Sequence, residues 1–123
     1  MLEFVESHWV EIKIKGSPVR LQVREPNALE GARYFQAVSR AVDRKDDEAG
    51  IASLIQIHLD LLLACVKGSE GVTPAFPSEG SEAERRAWLV RIPWTDVSGI
   101  ASEVATVGFP KGSTGPSGGT SPD

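Results

Sequence analysis

The sequence has few of the residues from which catalytic and metal sites are usually built. It contains one cysteine, Cys65, and two histidines, His8 and His58, in 123 residues. A single cysteine excludes an internal disulfide and a zinc site with several cysteine ligands. His58 stands two residues before Asp60 in a predicted helix, so these side chains point to different faces, whereas a helical metal pair needs a spacing of three or four. We therefore expect His58 to be structural and predict no metal ion and no cofactor.

Nucleophilic chemistry is not indicated either. Cys65 lies in an apolar helical segment, residues 63–66, which is typical of an inert buried thiol. His58 is two helical turns earlier, about 10 Å along the axis, which is too far for direct proton transfer. The glycine-rich end of the chain lacks the Lys-Ser/Thr pair and the following helix of a phosphate-binding loop. We expect that the protein is not an enzyme.

Positive charge is in the minority, with 13 lysines and arginines against 17 acidic residues and a net charge of -4. This balance argues against a dedicated nucleic-acid-binding module. The longest apolar stretch, residues 51–66, is interrupted by polar and charged residues, which argues against a membrane span. Residues 1–6 are acidic and lack the apolar core of a signal peptide. We expect a small soluble intracellular domain.

Glycine and proline are concentrated at the end of the chain. Residues 108–123 hold five of the 12 glycines and three of the eight prolines. Residues 112–122 have no apolar side chain that could anchor them to a core and offset the entropy of ordering. We predict a single α+β domain over residues 1–108 and a disordered tail over residues 109–123.

The clearest local pattern is a β-hairpin over residues 9–24. Apolar and polar residues alternate on both sides of Gly16-Ser17, which suits a two-residue type II′ turn. This turn places Lys15 opposite Pro18 and Lys13 opposite Arg20, with all the apolar residues on one face. The other face is basic, and four of its residues are candidate contacts to an acidic partner: Lys13, Lys15, Arg20 and Arg24.

Helical spacing of apolar residues predicts four helices, over residues 26–44, 50–67, 81–91 and 95–107. The apolar stripe of the first helix comprises Leu29, Ala32, Phe35, Val38 and Val42, widened by Tyr34 and Ala41. The second helix is apolar around nearly its whole circumference, so we expect it to be central. The fold class is therefore α+β, mostly helical, with an N-terminal β-hairpin followed by about four helices.

Several residues are expected to begin or end these helices. Pro26 is predicted near the first helical position, and Gly68 as the left-handed residue that ends the second helix. Ser81 and Glu84 form a capping box for the third helix. The side chain of Thr95 or Asp96 is predicted to cap the fourth.

Two tryptophans form a candidate partner surface. Trp88 lies in the third predicted helix and Trp94 follows Pro93. Tryptophan closes small cores and is also enriched at binding hot spots. Both interpretations stay open from the sequence. If either ring is exposed, we expect partner contacts at this corner.

In order and spacing, these features resemble the tail assembly chaperones of long-tailed bacteriophages, especially siphophages, over residues 9–108. The shared features are a basic hairpin (residues 10–24) running into Glu25-Pro26 and a helix, a long helix ending in residues 63–71, an apolar-aromatic segment (residues 72–76), a short helix, the Ile92-Pro93 break and a final helix with a Val/Ala/Ile stripe. The resemblance implies a non-enzymatic protein that binds the tape measure protein and helps the tail tube protein to assemble. It also implies a location in the host bacterial cytoplasm, absence from the mature virion, and possible self-association.

Two other functions remain open from the sequence: a structural phage tail or connector subunit, and a small regulatory adaptor. The family often makes a longer product by ribosomal slippage near the end of the shorter one. One codon choice for Phe109-Pro110-Lys111 contains a slippery heptamer, although the tripeptide is also ordinary after a helix. Gene neighbourhood separates these functions, since a chaperone gene lies between the genes for the major tail protein and the tape measure protein.

Overall fold

The computed structural model describes residues 7–43 and 48–107. In chain order its elements are β1 (His8–Ile14), β2 (Ser17–Val23), α1 (Ala28–Val42), α2 (Glu48–Cys65), β3 (Val66–Glu70), α3 (Glu82–Val90) and α4 (Trp94–Ala105). The strands form one antiparallel sheet in the order β1-β2-β3. The predicted α+β class is confirmed, and each helix begins and ends within two residues of its predicted bounds. The predicted tail, residues 109–123, lies outside the described residues.

The hairpin is formed as the alternation predicts, but its turn is one residue earlier than expected. Lys15 and Gly16 occupy the turn, with φ angles of 54° and 81°. Two positive φ angles define a type I′ turn, whose twist matches that of the strands. Ile14 therefore pairs with Ser17 and Ile12 with Val19, so the predicted pairing is wrong by two positions. A shift of two keeps the same face inward, and the apolar residues remain in the core.

The corrected register changes the charge pairing across the hairpin. The predicted opposition of Lys13 and Arg20 is wrong, because Glu11 lies opposite Arg20 and Lys13 lies opposite Pro18. A like-charge pair is thus replaced by an opposite-charge pair, which stabilises the two strands slightly.

Neither Thr95 nor Asp96 caps α4. Helix α4 already begins at Trp94, with Pro93 as its N-cap and no side-chain cap hydrogen bond. Both predicted capping residues therefore lie inside the first turn of the helix. Asp96 instead accepts a hydrogen bond at Oδ2 from the backbone N–H of Lys15, at 3.0 Å. This contact ties the hairpin turn to the beginning of α4.

Strand β3 takes the place of the predicted end of the second helix. Helix α2 ends at Cys65, and the chain continues directly into a strand that pairs with β2. Gly68 therefore lies in a strand and does not end the helix. A Cβ atom at Gly68 would lie 3.2 Å from Oε1 of Gln22, so glycine allows the two strands to approach closely. Residues 66–70 form a strand because they pair with the free edge of β2. The local sequence does not predict this pairing, since β2 is distant in the chain.

The helix caps follow local sequence signals. The predicted capping box of α3 is confirmed, with Ser81 Oγ accepting from the Glu84 N–H and Glu84 accepting in return from the Ser81 N–H. Helix α1 has the same arrangement, with Asn27 as N-cap and Glu30 as the third helical residue. Pro26 therefore precedes the cap and is not in the first turn, because the Asn27 side chain satisfies the helical N–H groups better.

Helix α2 is central, as predicted, and contacts α1, α3 and α4. Its second half is the most deeply buried, with Leu62 and Cys65 fully covered. The predicted apolar stripe of α1 is only partly covered, with Tyr34 and Val38 half-buried. Ala41 is the one buried residue of α1, and Phe35 is 57% exposed. Phe35 and Val42, on one flank of this stripe, are therefore left uncovered by the other described residues.

An ion pair joins the end of β2 to the beginning of α1. The Arg24 guanidinium donates two hydrogen bonds of 2.7 Å to the two carboxylate oxygens of Glu30. This bidentate contact lowers the pKa of Glu30 to about 2. The carboxylate also accepts from the Asn27 N–H, at 2.9 Å. One side chain therefore fixes both the cap and the entry of the chain into α1.

Replacing Glu30 with glutamine should lower the free energy of unfolding at neutral pH by about 1 kcal/mol, because the partly exposed charged pair is lost. The folded pKa of Glu30 lies below the ordinary value of 4.5, so its contribution is full above that pH and is lost as the pH falls towards about 2. Urea unfolding over this pH range should show the difference between the two proteins shrinking. Glu82→Gln, an acidic residue in the first turn of α3, is the control. A Glu30→Gln difference that does not change with pH would contradict the assignment.

Candidate functional site

A groove of about 360 Å³ lies between α1 and α4, over the surface of α2. We call it the α1–α4 groove. Its lining residues come from three helices and the residue after α4: Tyr34, Phe35, Val38, Val42, Leu54, His58, Ser98, Ser102, Ala105 and Thr106. Helices α1 and α4 both pack on α2, which leaves the space between them open.

The α1 wall of the groove is apolar and exposed. The side chains of Phe35 and Val42 are 57% and 43% exposed. They belong to the apolar stripe that α2 leaves uncovered. The α4 wall is different, because Ser98, Ser102 and Ala105 are small. A wall of small side chains lets the backbone of a bound segment approach α4 closely.

A partly buried hydrogen bond joins two residues in the lining of the groove. The hydroxyl of Tyr34 and Nδ1 of His58 are 2.9 Å apart, and the two rings are in contact. Burial lowers the pKa of His58 and raises the pKa of Tyr34, so both side chains are uncharged near neutral pH. Protonation of His58 is therefore coupled to unfolding as the pH falls below its ordinary value of 6.5. His58 orders the floor of the groove, consistent with the expected structural role.

None of the described residues that line the α1–α4 groove carries a charge at neutral pH. Three other cavities differ in this respect, since each is lined by charged side chains. An uncharged groove with exposed apolar residues is complementary to an apolar surface, because a charged side chain entering it would lose water without gaining a partner.

The two tryptophans of the candidate partner surface differ in exposure. Trp88 is buried, and its Nε1–H donates to the carbonyl oxygen of Pro74 at 2.8 Å. Its ring also packs edge-to-face on Phe76, with centroids 5.3 Å apart. Trp94 is 69% exposed. A partner can reach the ring of Trp94, whereas Trp88 is part of the core, and a contact role for either stays a prediction.

The four basic candidates also fall into two groups. Arg20 forms an ion pair with Glu70 at 2.8 Å and lies over the ring of Trp9, 4.8 Å from its centroid. Arg24 is paired with Glu30. Lys13 and Lys15 are exposed and take part in no ion pair with a described residue. The basic face expected from the sequence is thus reduced to these two lysines.

A second cavity, of about 350 Å³, adjoins the hairpin turn. We call it the turn pocket. Lys15 and Arg91 supply positive charge to it, and Val19, Trp88 and Ile92 are apolar side chains in its lining. Arg91 was not among the sequence candidates, because it is far from the hairpin in the chain. The available local signal was a basic residue just before the Ile92-Pro93 break.

The described residues offer no arrangement typical of metal binding or nucleophilic chemistry. They contain no cluster of three or more His, Cys, Asp and Glu side chains that could hold a metal ion. Burial raises the pKa of the Cys65 thiol to about 11, so the thiol is protonated at neutral pH and is a poor nucleophile. None of the described helices combines the length and the apolar composition needed to cross a membrane.

Comparison with protein-family models, with curated proteins and with solved structures finds no match to this chain.

Replacing Tyr34 with phenylalanine should lower the free energy of unfolding by about 1–2 kcal/mol, because His58 Nδ1 then remains buried without its partner. In a chain that already carries His58→Leu, the same replacement should lower the free energy of unfolding much less, since the imidazole that needs the hydroxyl as a partner is absent. Urea unfolding of the two single variants and the double variant measures this coupling. An equal cost of Tyr34→Phe in both backgrounds would show that the hydrogen bond contributes nothing.

Proposed function

We propose that this protein is a non-enzymatic tail assembly chaperone of a long-tailed bacteriophage, and that its α1–α4 groove binds apolar helical segments of the tape measure protein. The observation that carries the proposal is the exposure of Phe35 and Val42 beside an uncharged groove. The sequence resemblance supplies the identity of the partner. The same resemblance supports a role in tail tube assembly in the host bacterial cytoplasm.

The shape of the groove favours a helix as its ligand. Two helices flank it and a third lies beneath it, so a fourth helix placed there would complete a layer over α2. An amphipathic helix binds such a groove through apolar side chains on one face, spaced three, four and seven residues apart. The small side chains of α4 favour close helix packing, while Phe35 and Val42 provide contact area on the opposite wall.

The groove also suits reversible binding to many related segments. Because its lining residues are uncharged, it selects for apolar surface and does not require a particular pattern of charges. A tape measure protein is long, helix-rich and apolar, so it offers many similar segments that need cover before assembly. A chaperone absent from the mature virion must be released, and binding through one small groove is weak enough to allow this.

The test is co-expression of the full chain, carrying an affinity tag, with the tape measure protein, followed by a pull-down. We expect the unmodified chain to retain the tape measure protein. Phe35→Glu should reduce the retained amount at least about tenfold, because it places a charge in the apolar groove and removes a contact of about 1.5–3 kcal/mol. Thermal unfolding should change little, since Phe35 is exposed.

Val90→Glu is the matched control, because Val90 is 58% exposed on α3 and does not line the groove. It should retain the tape measure protein as the unmodified chain does. Equal retention by Phe35→Glu and Val90→Glu would overturn the groove assignment. If no tape measure protein is retained and purified virions contain this protein, the chaperone function is wrong and a structural tail or connector subunit takes its place.

A further inference from the structure

A cavity of about 450 Å³ lies between β1 and α4. We call it the β1–α4 groove. Three acidic side chains line it, Glu11, Asp96 and Glu103, against one basic side chain, Lys13. None of these four forms an ion pair with a described residue. The groove is therefore complementary to positively charged side chains.

The backbone of β1 has unused hydrogen-bonding groups at this groove. Strand β1 is at the edge of the sheet. Pro18 lies opposite Lys13 and has no N–H, so these two residues cannot exchange backbone hydrogen bonds. Bonded and non-bonded pairs alternate along an antiparallel ladder, so the backbone N–H and C=O groups of Glu11 and Lys13 point away from β2. No described residue outside the hairpin bonds to them.

The opposite edge of the sheet is partly covered by the chain itself. The carbonyl oxygen of Lys67 in β3 accepts from Ser78 Oγ at 2.6 Å, and Ser69 Oγ accepts from the Phe76 N–H at 2.9 Å. These contacts hold the loop after β3 against that strand. No described loop makes comparable contacts along residues 11–13, and a free strand edge is a template for a further strand.

Gly99 keeps the α4 side of the groove open. It lies in the interior of α4 and lines the groove. A Cβ atom there would lie more than 4 Å from every described atom outside its own helix, so packing does not require glycine. Glycine is also less favourable in a helix interior than alanine or leucine. A glycine that weakens the helix and relieves no clash is explained by a ligand whose backbone approaches α4 closely.

We propose that the β1–α4 groove binds an extended, basic segment of a partner protein, which adds to β1 as a further strand of the sheet. The backbone of the segment bonds to the outward groups of Glu11 and Lys13, and this supplies affinity. Its side chains alternate between the two faces, and basic ones on the α4 side approach Asp96 and Glu103. The carboxylates thus select for positive charge. The site shares no lining residue with the α1–α4 groove and does not depend on it.

The probe is a fluorescent peptide of alternating lysine and valine, titrated with the full chain at physiological salt and followed by anisotropy. We expect saturable binding, with slower hydrogen exchange at the backbone amides of Glu11 and Lys13 in the complex. The same peptide with every backbone nitrogen methylated keeps its charge and loses its main-chain donors, so it should bind at least about tenfold more weakly. A peptide of alternating glutamate and valine should not bind.

Gly99→Leu should weaken binding of the lysine–valine peptide at least about tenfold, because the new side chain fills the groove. It should also raise the unfolding temperature, since leucine favours a helix, so the loss cannot be attributed to misfolding. Gly31→Leu is the matched control in α1, where an added Cβ also meets no described atom outside its helix within 4 Å. Glu103→Gln should weaken binding about two- to fivefold, with Glu82→Gln as its control.

Equal binding by Gly99→Leu and Gly31→Leu would overturn the proposal. Absence of binding by the lysine–valine peptide, or binding of the acidic peptide in its place, would do the same. Equal binding of the methylated peptide would show attraction between charges without strand addition, and slower exchange in β3 instead of β1 would place the ligand at the other edge. Phe35→Glu should bind the peptide as the unmodified chain does, which separates this test from that of the α1–α4 groove.

Discussion

Helix α2 has more apolar surface than its neighbours cover, and the rest of the structure depends on this imbalance. Its second half is enclosed by the sheet and by α1, α3 and α4, and the central core forms there. Between α1 and α4, however, the enclosure is incomplete, and Leu54 and His58 line an open groove. The Tyr34 hydroxyl stabilises this region, because it forms a hydrogen bond with His58, whose ring nitrogen would otherwise be buried without a partner.

The distribution of charge changes when the chain folds. The hairpin carries a basic face in the sequence, yet Glu70 neutralises Arg20 and Glu30 neutralises Arg24. These acidic residues come from β3 and α1, outside the hairpin. What remains is a smaller positive region at the turn, where Lys15 is joined by Arg91. The fold therefore places two basic side chains that form no ion pair with a described residue at the same cavity.

Local signals explain which parts of this fold could be predicted from the sequence. Alternation fixed the inward face of the hairpin, and the Ser81–Glu84 capping box fixed the beginning of α3, because both depend on neighbouring residues. The turn position and β3 could not be obtained in this way. Lys15 was an unexpected residue for a left-handed position and is supported by Asp96, and β3 forms on an edge that β2 provides. The place of Arg91 in the turn pocket was not predicted either, because Arg91 and the hairpin are far apart in the sequence.

The α1–α4 groove and the turn pocket differ in the chemistry of their linings. The described lining of the groove is uncharged, whereas Lys15 and Arg91 line the turn pocket, and the two cavities share no lining residue. Occupying one therefore leaves the other free.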